Sequence, residues 1–422
     1  MNAAIRHCRL TPVATTLVGL FLLVTVTYAD DSPQFRGPDR SGIFKEKGLL
    51  QSWPKEGPSL AWKTKGLGGG YSSVAVTGGR IYTMSYRGDD ELVLALDEAN
   101  GKEIWHTKIA TANRQVGCGE GPRCVPTIDG KYLYAVGVSG DLVCLQLADG
   151  KTIWQHNLVK EFGGNVPSWG YSESPLVDGD KLVATPGGKQ ATIAAFNKTT
   201  GKPLWQAQVP DGDQVQYASA AVAEVGGQRE YVNFLHGGVV GVAASDGKYL
   251  WRYNASANGT ANCSMPIVSG ASVFTSSDYG TGGGLVKLTK SGNQVKADEV
   301  YFTKEMKNHH GGMVLLNGYL YGANGGVLGC LEFQTGKVMW QERKPGKGSI
   351  AYADGCLYYR NEGGPMYLIE ANHEKYVEKG HFDQPDRSGQ NSWAYPVVAN
   401  GKLYLRDQDV LLCYDVKRQA GK

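Results

Sequence analysis

The sequence lacks a strong excess of charge of either sign. Its 422 residues include 43 Lys and Arg and 40 Asp and Glu, so the formal net charge is only +3. Proteins that bind nucleic acid or anionic lipid surfaces electrostatically usually carry a larger and clustered positive charge. The composition therefore predicts no nucleic-acid partner and no membrane-surface partner.

Long hydrophobic runs are also absent. The apolar stretch near the N-terminus extends only from Leu17 to Val26, and a bilayer-spanning helix needs about 20 residues. Arg6 and Arg9 precede the stretch, as in the charged start of a secretory signal peptide. We expect residues 1–29 to be a signal peptide and the mature protein to be exported, periplasmic or extracellular, without a transmembrane segment. The alternative is an uncleaved N-terminal anchor.

Cysteine is scarce, with eight residues in the chain. Cys8 falls in the expected signal peptide, so an odd number remain and at least one is unpaired within the chain. Cys118 and Cys124 flank a short Gly-rich loop, and an oxidising compartment would permit a disulfide between them. This pair is the one candidate disulfide, and the alternative is that both thiols are free.

Glycine, in contrast, is abundant, with 58 residues, about twice the usual ~7%. Much of it belongs to five copies of Gly-Lys-x-x-Trp, which end at Trp105, Trp154, Trp205, Trp251 and Trp340. Successive Trp residues are 49, 51, 46 and 89 positions apart, and the last interval is nearly two periods. A fixed period of this size indicates a repeated supersecondary unit. We expect these Trp side chains to be buried between repeats.

Eight hairpin phrases share this period, and each reads as a strand, a tight Gly-containing turn and a second strand. A third strand follows each hairpin, and a Trp-bearing strand completes most units. The chain stops after the eighth third strand, and the missing Trp strand stands at the front as SLAWKTK around Trp62. This predicts an all-β fold, an eight-bladed β-propeller of four-stranded antiparallel blades whose ring is closed by an N-terminal strand. Residues 30–59 are an N-terminal extension and residues 60–418 the propeller.

The strands of a blade are named A to D from the axis to the rim. The A–B and C–D turns then share one face, and both are short and repetitive. The D–A connections reach the other face, and they are long and unlike one another. Since binding sites usually lie on irregular loops held by a rigid scaffold, we expect the function at the D–A mouth of the channel.

The repeat resembles that of the pyrroloquinoline-quinone (PQQ)-like propellers, a superfamily that includes quinoprotein alcohol dehydrogenases and the outer-membrane assembly factor BamB. The phrases QFRGPDRSGI (Gln34 to Ile43) and GGGYSS (Gly68 to Ser73) resemble the secreted bacterial PQQ-binding-like propeller proteins. The resemblance covers nearly all of the mature chain. It implies the fold much more than the chemistry, because one fold hosts many functions.

The resemblance also raises a cofactor alternative. Quinoprotein dehydrogenases hold PQQ over a calcium ion at the channel mouth, beside an adjacent Cys-Cys pair. This chain has no adjacent Cys pair, and its length leaves no room for the large insertions of those enzymes. PQQ and calcium are therefore kept as an alternative, and no cofactor or metal site is predicted.

Polar and aromatic residues cluster just before the expected A strands, where a polar organic ligand such as a sugar or quinone would find aromatic walls and converging polar groups. The candidate ligand-binding residues are Glu120, Arg123, Trp169, Tyr171, Glu173, Tyr217, Asn262, His309, His310 and Trp393. Other residues expected at the mouth are Gln216, Lys347, Asn391 and Tyr395.

Two subsets invite sharper interpretations. Glu120 and Glu173 would form an acid/base pair if their environments differed, or one of them would pair with Arg123 in a structural role. His309 and His310 suggest a metal, but neighbouring residues on a strand point to opposite faces, so both would bind one ion only from a loop. Catalytic residues are not identified.

Two functions compete. One is an exported binding or scaffold module, a monomer whose partner is a protein or a small polar ligand such as a glycan. The other is an extracytoplasmic oxidoreductase of the quinoprotein type. The missing Cys pair favours the first, and the crowded aromatic mouth favours a small ligand.

Overall fold

The computed structural model describes Met1 and residues 31–117, 119 and 121–419. Nearly all of the expected signal peptide, together with Cys118 and Glu120, lies outside the described residues. The described chain folds into eight sheets arranged as blades, each built on four antiparallel strands, with one short helix. The expected eight-bladed propeller is confirmed.

The strands follow one another blade by blade. Two strands precede the first complete blade, β1 (Ile43–Phe44) and β2 (Ser59–Thr64). Blade 1 contains β3 (Ala75–Thr77), β4 (Arg80–Arg87), β5 (Asp90–Asp97) and β6 (Glu103–Thr111). Blade 2 contains β7 (Thr127–Asp129), β8 (Tyr132–Val136), β9 (Asp141–Gln146) and β10 (Thr152–Asn157), followed by helix α1 (Leu158–Phe162). Blade 3 contains β11 (Leu176–Asp178), β12 (Lys181–Ala184), β13 (Ile193–Asn197) and β14 (Pro203–Ala207).

The second half repeats this order. Blade 4 contains β15 (Ala221–Val225), β16 (Gln228–Leu235), β17 (Gly238–Ala243) and β18 (Tyr249–Tyr253), and blade 5 contains β19 (Ile267–Ser269), β20 (Ser272–Ser277), β21 (Gly282–Ser291) and β22 (Gln294–Thr303). Blade 6 contains β23 (Met313–Leu316), β24 (Tyr319–Asn324), β25 (Val327–Glu332) and β26 (Val338–Glu342). Blade 7 contains β27 (Gly348–Ala353), β28 (Cys356–Asn361), β29 (Met366–Glu370) and β30 (Glu378–Phe382), and blade 8 contains β31 (Val397–Ala399), β32 (Lys402–Asp407) and β33 (Val410–Asp415).

The N-terminal strand β2 completes blade 8, as predicted. It pairs antiparallel with β33, with Leu60 opposite Tyr414 and Trp62 opposite Cys413. The first and last parts of the propeller therefore share one sheet. Because this ladder joins the two ends of the ring, it stabilises the whole circle.

The Gly-Lys-x-x-Trp repeat is a contact between neighbouring blades. The Trp ring on strand D of one blade lies against the Gly of the C–D turn in the next blade, as Trp105 does against Gly150. A Cβ atom on Gly150 would lie 2.6 Å from Cε3 of that ring. The residue also has a φ of +75°, which L side chains rarely adopt. Glycine is thus required at this position for two reasons, the positive φ of the backbone and the close approach of the Trp ring.

The same contact recurs with variations. Trp154 donates an indole hydrogen bond to Lys198 O at 3.0 Å, and Trp340 donates one to Asn372 O at 2.8 Å, each in the following blade. Blade 5 lacks the Trp, and Tyr301 takes its place by packing on Gly336. The prediction that all five repeat Trp residues are buried was wrong for three of them. Trp251 and Trp340 are buried, whereas the other three are half-buried, because strand D lies at the rim.

The N-terminal segment 31–44 fills the central channel, and we call it the plug. Strand β1 within it pairs in parallel with β27, the innermost strand of blade 7. Ser32 forms a bridge with Val76 on β3, and Pro33 O accepts a hydrogen bond from Ile128 N on β7. The first part of the expected N-terminal extension thus packs against the inner strands of the ring.

Two buried arginines hold the plug in place. Arg40 donates to Ser174 O at 2.8 Å and to Pro175 O at 3.2 Å, at the start of blade 3. Arg36 donates to Met313 O on β23, across the channel. Both arginines are 5% exposed. The plug thus bonds to the innermost A strands of several blades, or to the residues just before them. It therefore closes the channel.

Candidate functional site

A pocket opens at the D–A mouth of the channel, above the plug. Its volume is about 190 Å³, whereas one buried water needs roughly 10–15 Å³ of such space. The described residues that line it are Phe35, Tyr71, Ser73, Arg123, Val125, Trp169, Ser172, Tyr217, Cys263, Tyr279, His309, His310, Trp393 and Tyr395. Most of these residues lie in the D–A connections, just before an A strand. The irregular D–A connections therefore converge at this pocket.

Two aromatic pairs stand in the walls of the pocket. Tyr71 and Trp393, from the entries to blades 1 and 8, have ring centroids 4.8 Å apart. Trp169 and Tyr217, from the entries to blades 3 and 4, have centroids 5.2 Å apart. The plug supplies the floor through Phe35, whose ring meets Tyr395 edge-on at 5.3 Å. The pocket is therefore closed below and flanked by flat apolar surfaces.

A cluster of His and Lys side chains forms another part of the wall. Lys347 Nζ donates to His309 Nδ1 at 2.8 Å, and His310 Nδ1 lies 3.2 Å from the same atom. Burial lowers the pKa of His309 to about 4, with the Lys347 charge adding to the effect. Burial, and then His309 and Lys347, hold the pKa of His310 well below its usual value. Both imidazoles are therefore neutral at pH 7.

The lysine charge in this cluster is balanced by carboxylates. Lys347 Nζ lies 3.8 Å from a carboxylate oxygen of Asp278 and 3.8 Å from one of Glu362. Glu362 also accepts a hydrogen bond from Trp393 Nε1 at 2.5 Å. The network joins the entry to blade 8 to blades 5, 6 and 7, so it fixes the orientation of the Trp393 ring.

Arg123 and Cys263 complete the polar lining. The Arg123 guanidinium carbon lies 5.2 Å from the centroid of the Tyr71 ring, a cation–π arrangement. Burial raises the pKa of the Cys263 thiol to about 12, although Lys347 and Arg123 oppose the shift. Cys263 is thus a neutral thiol at pH 7, which does not favour a nucleophilic role.

The structure brings six of the ten candidate ligand-binding residues together in the pocket. They are Arg123, Trp169, Tyr217, His309, His310 and Trp393. Glu120 lies outside the described residues. The two histidines lie in the loop before β23. Because a loop does not alternate sides as a strand does, both side chains reach the pocket.

Three candidates point elsewhere. Tyr171 is fully buried and donates to Pro186 O at 2.8 Å. Asn262 is fully buried and its amide donates to Leu235 O at 2.9 Å and to His236 O at 3.2 Å, bracing the loop after blade 4. Neither side chain is among those that line the pocket, because neighbouring residues of an extended segment point to opposite sides and these two point away from it.

Glu173 is the third candidate outside the pocket. It is 1% exposed and accepts a hydrogen bond from Thr185 N at 2.5 Å. Burial raises its pKa to about 7, and the hydrogen bonds from Thr185 and the charge of Arg40 oppose that shift. Its buried neighbour is the plug arginine, Arg40. Glu173 is therefore not among the residues that line the pocket, where the acid/base alternative would require it beside Glu120.

Seven of the lining residues were not predicted from the sequence, namely Phe35, Tyr71, Ser73, Val125, Ser172, Cys263 and Tyr279. Phe35 belongs to the plug, and no repeat pattern places a non-repeating segment in the channel. Tyr71 and Cys263 precede A strands, so the rule that found their neighbours would have found them too. Tyr279 lies in a B–C turn on the same face. The sequence feature that could have pointed to it is a bulky residue next to Gly280 in a hairpin turn.

The predicted disulfide stays a prediction. Cys124 is fully buried and is a free thiol in the structure, while its predicted partner Cys118 lies outside the described residues. Within the described ranges, no three His, Cys, Asp or Glu side chains are grouped so as to hold a metal ion. No helix in the described part of the chain is both long and apolar enough to cross a bilayer.

The sequence profile of the family described as outer membrane protein assembly factor BamB matches residues 89–342. The chain belongs to this family of PQQ-like propellers. The quinohemoprotein alcohol dehydrogenase ADH IIB of Pseudomonas putida is 28% identical over 144 residues, which cover 32% of this chain and 19% of that protein. The chain spans less than a third of the length of the curated relatives it matches.

Solved structures resemble this PQQ-like propeller over most of its length. The quinohemoprotein alcohol dehydrogenase of Comamonas testosteroni has a TM-score of 0.65 and 12% identity, covering 93% of this chain and 81% of that chain. BamB of Moraxella catarrhalis has a TM-score of 0.55 and 13% identity, covering 79% of this chain and 95% of that chain. At such identities the likeness shows the fold alone.

Proposed function

We propose that this PQQ-like propeller is an exported, monomeric binding protein that holds a small ring-shaped polar ligand, a sugar or the end of a glycan, in the mouth pocket. The observation that carries the proposal is a pocket of about 190 Å³ closed below by the plug and flanked by two aromatic pairs. Export is supported by the apolar run from Leu17 to Val26 that follows Arg6 and Arg9.

The chemistry of the walls favours a sugar. One face of a pyranose ring presents C–H groups that pack on flat aromatic side chains, and its hydroxyls exchange hydrogen bonds with polar groups around the edge. The pocket offers both, with Trp169 and Trp393 as platforms and Ser73, Ser172 and Arg123 among the polar groups. Because Asp278 and Glu362 balance the Lys347 charge, the cluster at the opposite edge does not demand an anion.

The quinoprotein alternative fits the described residues less well. Calcium in proteins takes about six to eight oxygen ligands, carboxylates prominent among them. No Asp or Glu is among the described residues that line the pocket, and Asp278 and Glu362 at its edge both lie beside the Lys347 ammonium. We therefore derive no step through PQQ.

Saturation-transfer NMR and titration calorimetry with glucose, galactose and N-acetylglucosamine test the proposal. We expect at least one of these sugars to bind, and Trp169→Ala and Trp393→Ala to weaken that binding by about tenfold or more, since a stacked aromatic contact contributes about 0.5–1.5 kcal/mol beyond its buried area. Lys151→Ala, in the exposed C–D turn of blade 2 on the opposite face, is the matched control and should bind normally. Absence of binding for all three sugars, or unchanged affinity in both Trp variants, would contradict the proposal.

A further inference from the structure

One residue at the rim of the pocket has a strained backbone. Tyr279 lies in the turn between β20 and β21 with a φ of +57°, next to Gly280 at +79°. A bulky side chain with positive φ is an outlier, because its Cβ crowds the backbone. Such strain persists only where the surrounding structure enforces it, and it concentrates at functional sites.

Two other blades have a glycine at this angle in the same connection. The B–C turn of blade 1 has Gly88 at a φ of +57°, and that of blade 6 has Gly325 at +58°. In both turns a glycine adopts the angle that Tyr279 adopts in blade 5. The turn in blade 5 is braced from the following connection, where Lys304 Nζ donates to Gly280 O at 2.8 Å and to Thr281 O at 2.6 Å.

The strain places an aromatic ring beside the pocket. Tyr279 is 52% exposed, yet it lines the pocket and its ring meets His309 edge-on with centroids 5.2 Å apart. Its hydroxyl oxygen lies 3.4 Å from His309 Nε2. The side chain therefore keeps a large accessible surface next to the opening, on a wall that carries neither aromatic pair.

We infer that Tyr279 is a ligand-contacting residue that covers one side of the pocket's occupant and raises its affinity. The inference rests on the proposed function and assigns Tyr279 to one wall of the binding site. A bound sugar ring would cover the exposed Tyr279 face, while Phe35 and the aromatic pairs contact its other sides. Because a glycine would suit the turn better, the ring serves the pocket and not the fold.

Removal of the Tyr279 side chain should therefore lower sugar affinity without lowering the stability of the fold. Tyr279→Gly removes both the strain and the ring, so its melting temperature should equal or exceed that of the native chain, while its affinity for whichever of the three sugars binds should fall about tenfold. Tyr279→Phe keeps the ring and should bind within about twofold of the native affinity. Both variants are measured by calorimetric titration and thermal unfolding of the full chain.

Asn317→Gly is the matched control, since Asn317 also has a positive φ, +51°, but lies in the A–B turn of blade 6 on the opposite face. It should leave sugar affinity unchanged. The inference is overturned if Tyr279→Gly binds the sugar normally while Trp393→Ala does not, a result that leaves the proposed function standing. It is also overturned if Tyr279→Gly lowers the melting temperature by several degrees. Failure of the native chain to bind any of the sugars overturns both proposals.

Discussion

At the scale of single residues, the repeat motif has a steric explanation. The Gly of each of the five Gly-Lys-x-x-Trp copies has a positive φ, and all five lie under an aromatic ring of the preceding blade. The Gly and the Trp of one motif copy therefore serve two different interfaces. This is why the motif recurs at the blade period even though the loops between copies differ.

Gly150→Ala should destabilise the fold more than Gly130→Ala does. Both glycines have a positive φ, +75° and +57°, so both substitutions carry the same kind of backbone strain. Only at Gly150 would the new Cβ also meet a neighbour, 2.5 Å from Thr107 Oγ1, whereas Gly130 has nothing within 4 Å. We expect the free energies of unfolding in urea to differ by about 1–3 kcal/mol. Equal losses would show that the Trp contact is not tight.

Two buried carboxyl groups should make stability depend on pH. Burial raises the pKa of Glu91 to about 8 and that of Glu173 to about 7. Between pH 5 and 8 the folded chain thus binds more protons at these sites than the unfolded chain, so their contribution to stability is complete at low pH and is lost as the pH rises through 7 and 8.

Glu91→Gln should raise the free energy of unfolding at pH 8.5 and reduce its fall between pH 5 and 8.5. The amide keeps the acceptor for Val138 N, which lies 2.9 Å from Glu91 Oε1, and cannot ionise. Urea unfolding at the two pH values measures the effect, with exposed Glu374→Gln as the control. A pH dependence identical to that of the native chain would rule out Glu91 as its source.

At the scale of elements, the plug joins the fold to the site. It binds inner strands of several blades through backbone hydrogen bonds and two buried arginines. It also supplies Phe35 to the pocket floor. The sequence could not predict this placement, because the segment does not repeat and its partners are backbone N–H and C=O groups, which carry no side-chain signature.

Arg40→Met should lower the free energy of unfolding by about 2–4 kcal/mol, since it leaves the buried carbonyls of Ser174 and Pro175 without their donor. Lys45→Met is the matched control, because Lys45 follows the plug directly and its side chain is 61% exposed, paired with Asp39 on the surface. That change should cost less than about 1 kcal/mol. Similar losses in urea unfolding for the two variants would contradict the anchoring role of Arg40.

At the scale of the whole molecule, the sequence predicted the ring better than the site. Blade number and closure by β2 follow from a local pattern repeated at a fixed period, so errors in one copy do not propagate. The residues of the mouth were predicted from their position just before an A strand, and this rule correctly placed Trp169 and Trp393 in the pocket. The same rule misplaced Tyr171 and Glu173, because it does not say which side of an extended segment faces the axis.

The central claim is that the plugged D–A mouth is the binding site of this propeller. The most direct measurement is a crystal structure of the protein soaked with whichever of the three sugars shows binding in solution. We predict electron density for one sugar ring above Phe35, in contact with Trp169 or Trp393. Density on the Gly-Lys face, or an empty mouth at a sugar concentration that saturates the protein in solution, would contradict the account.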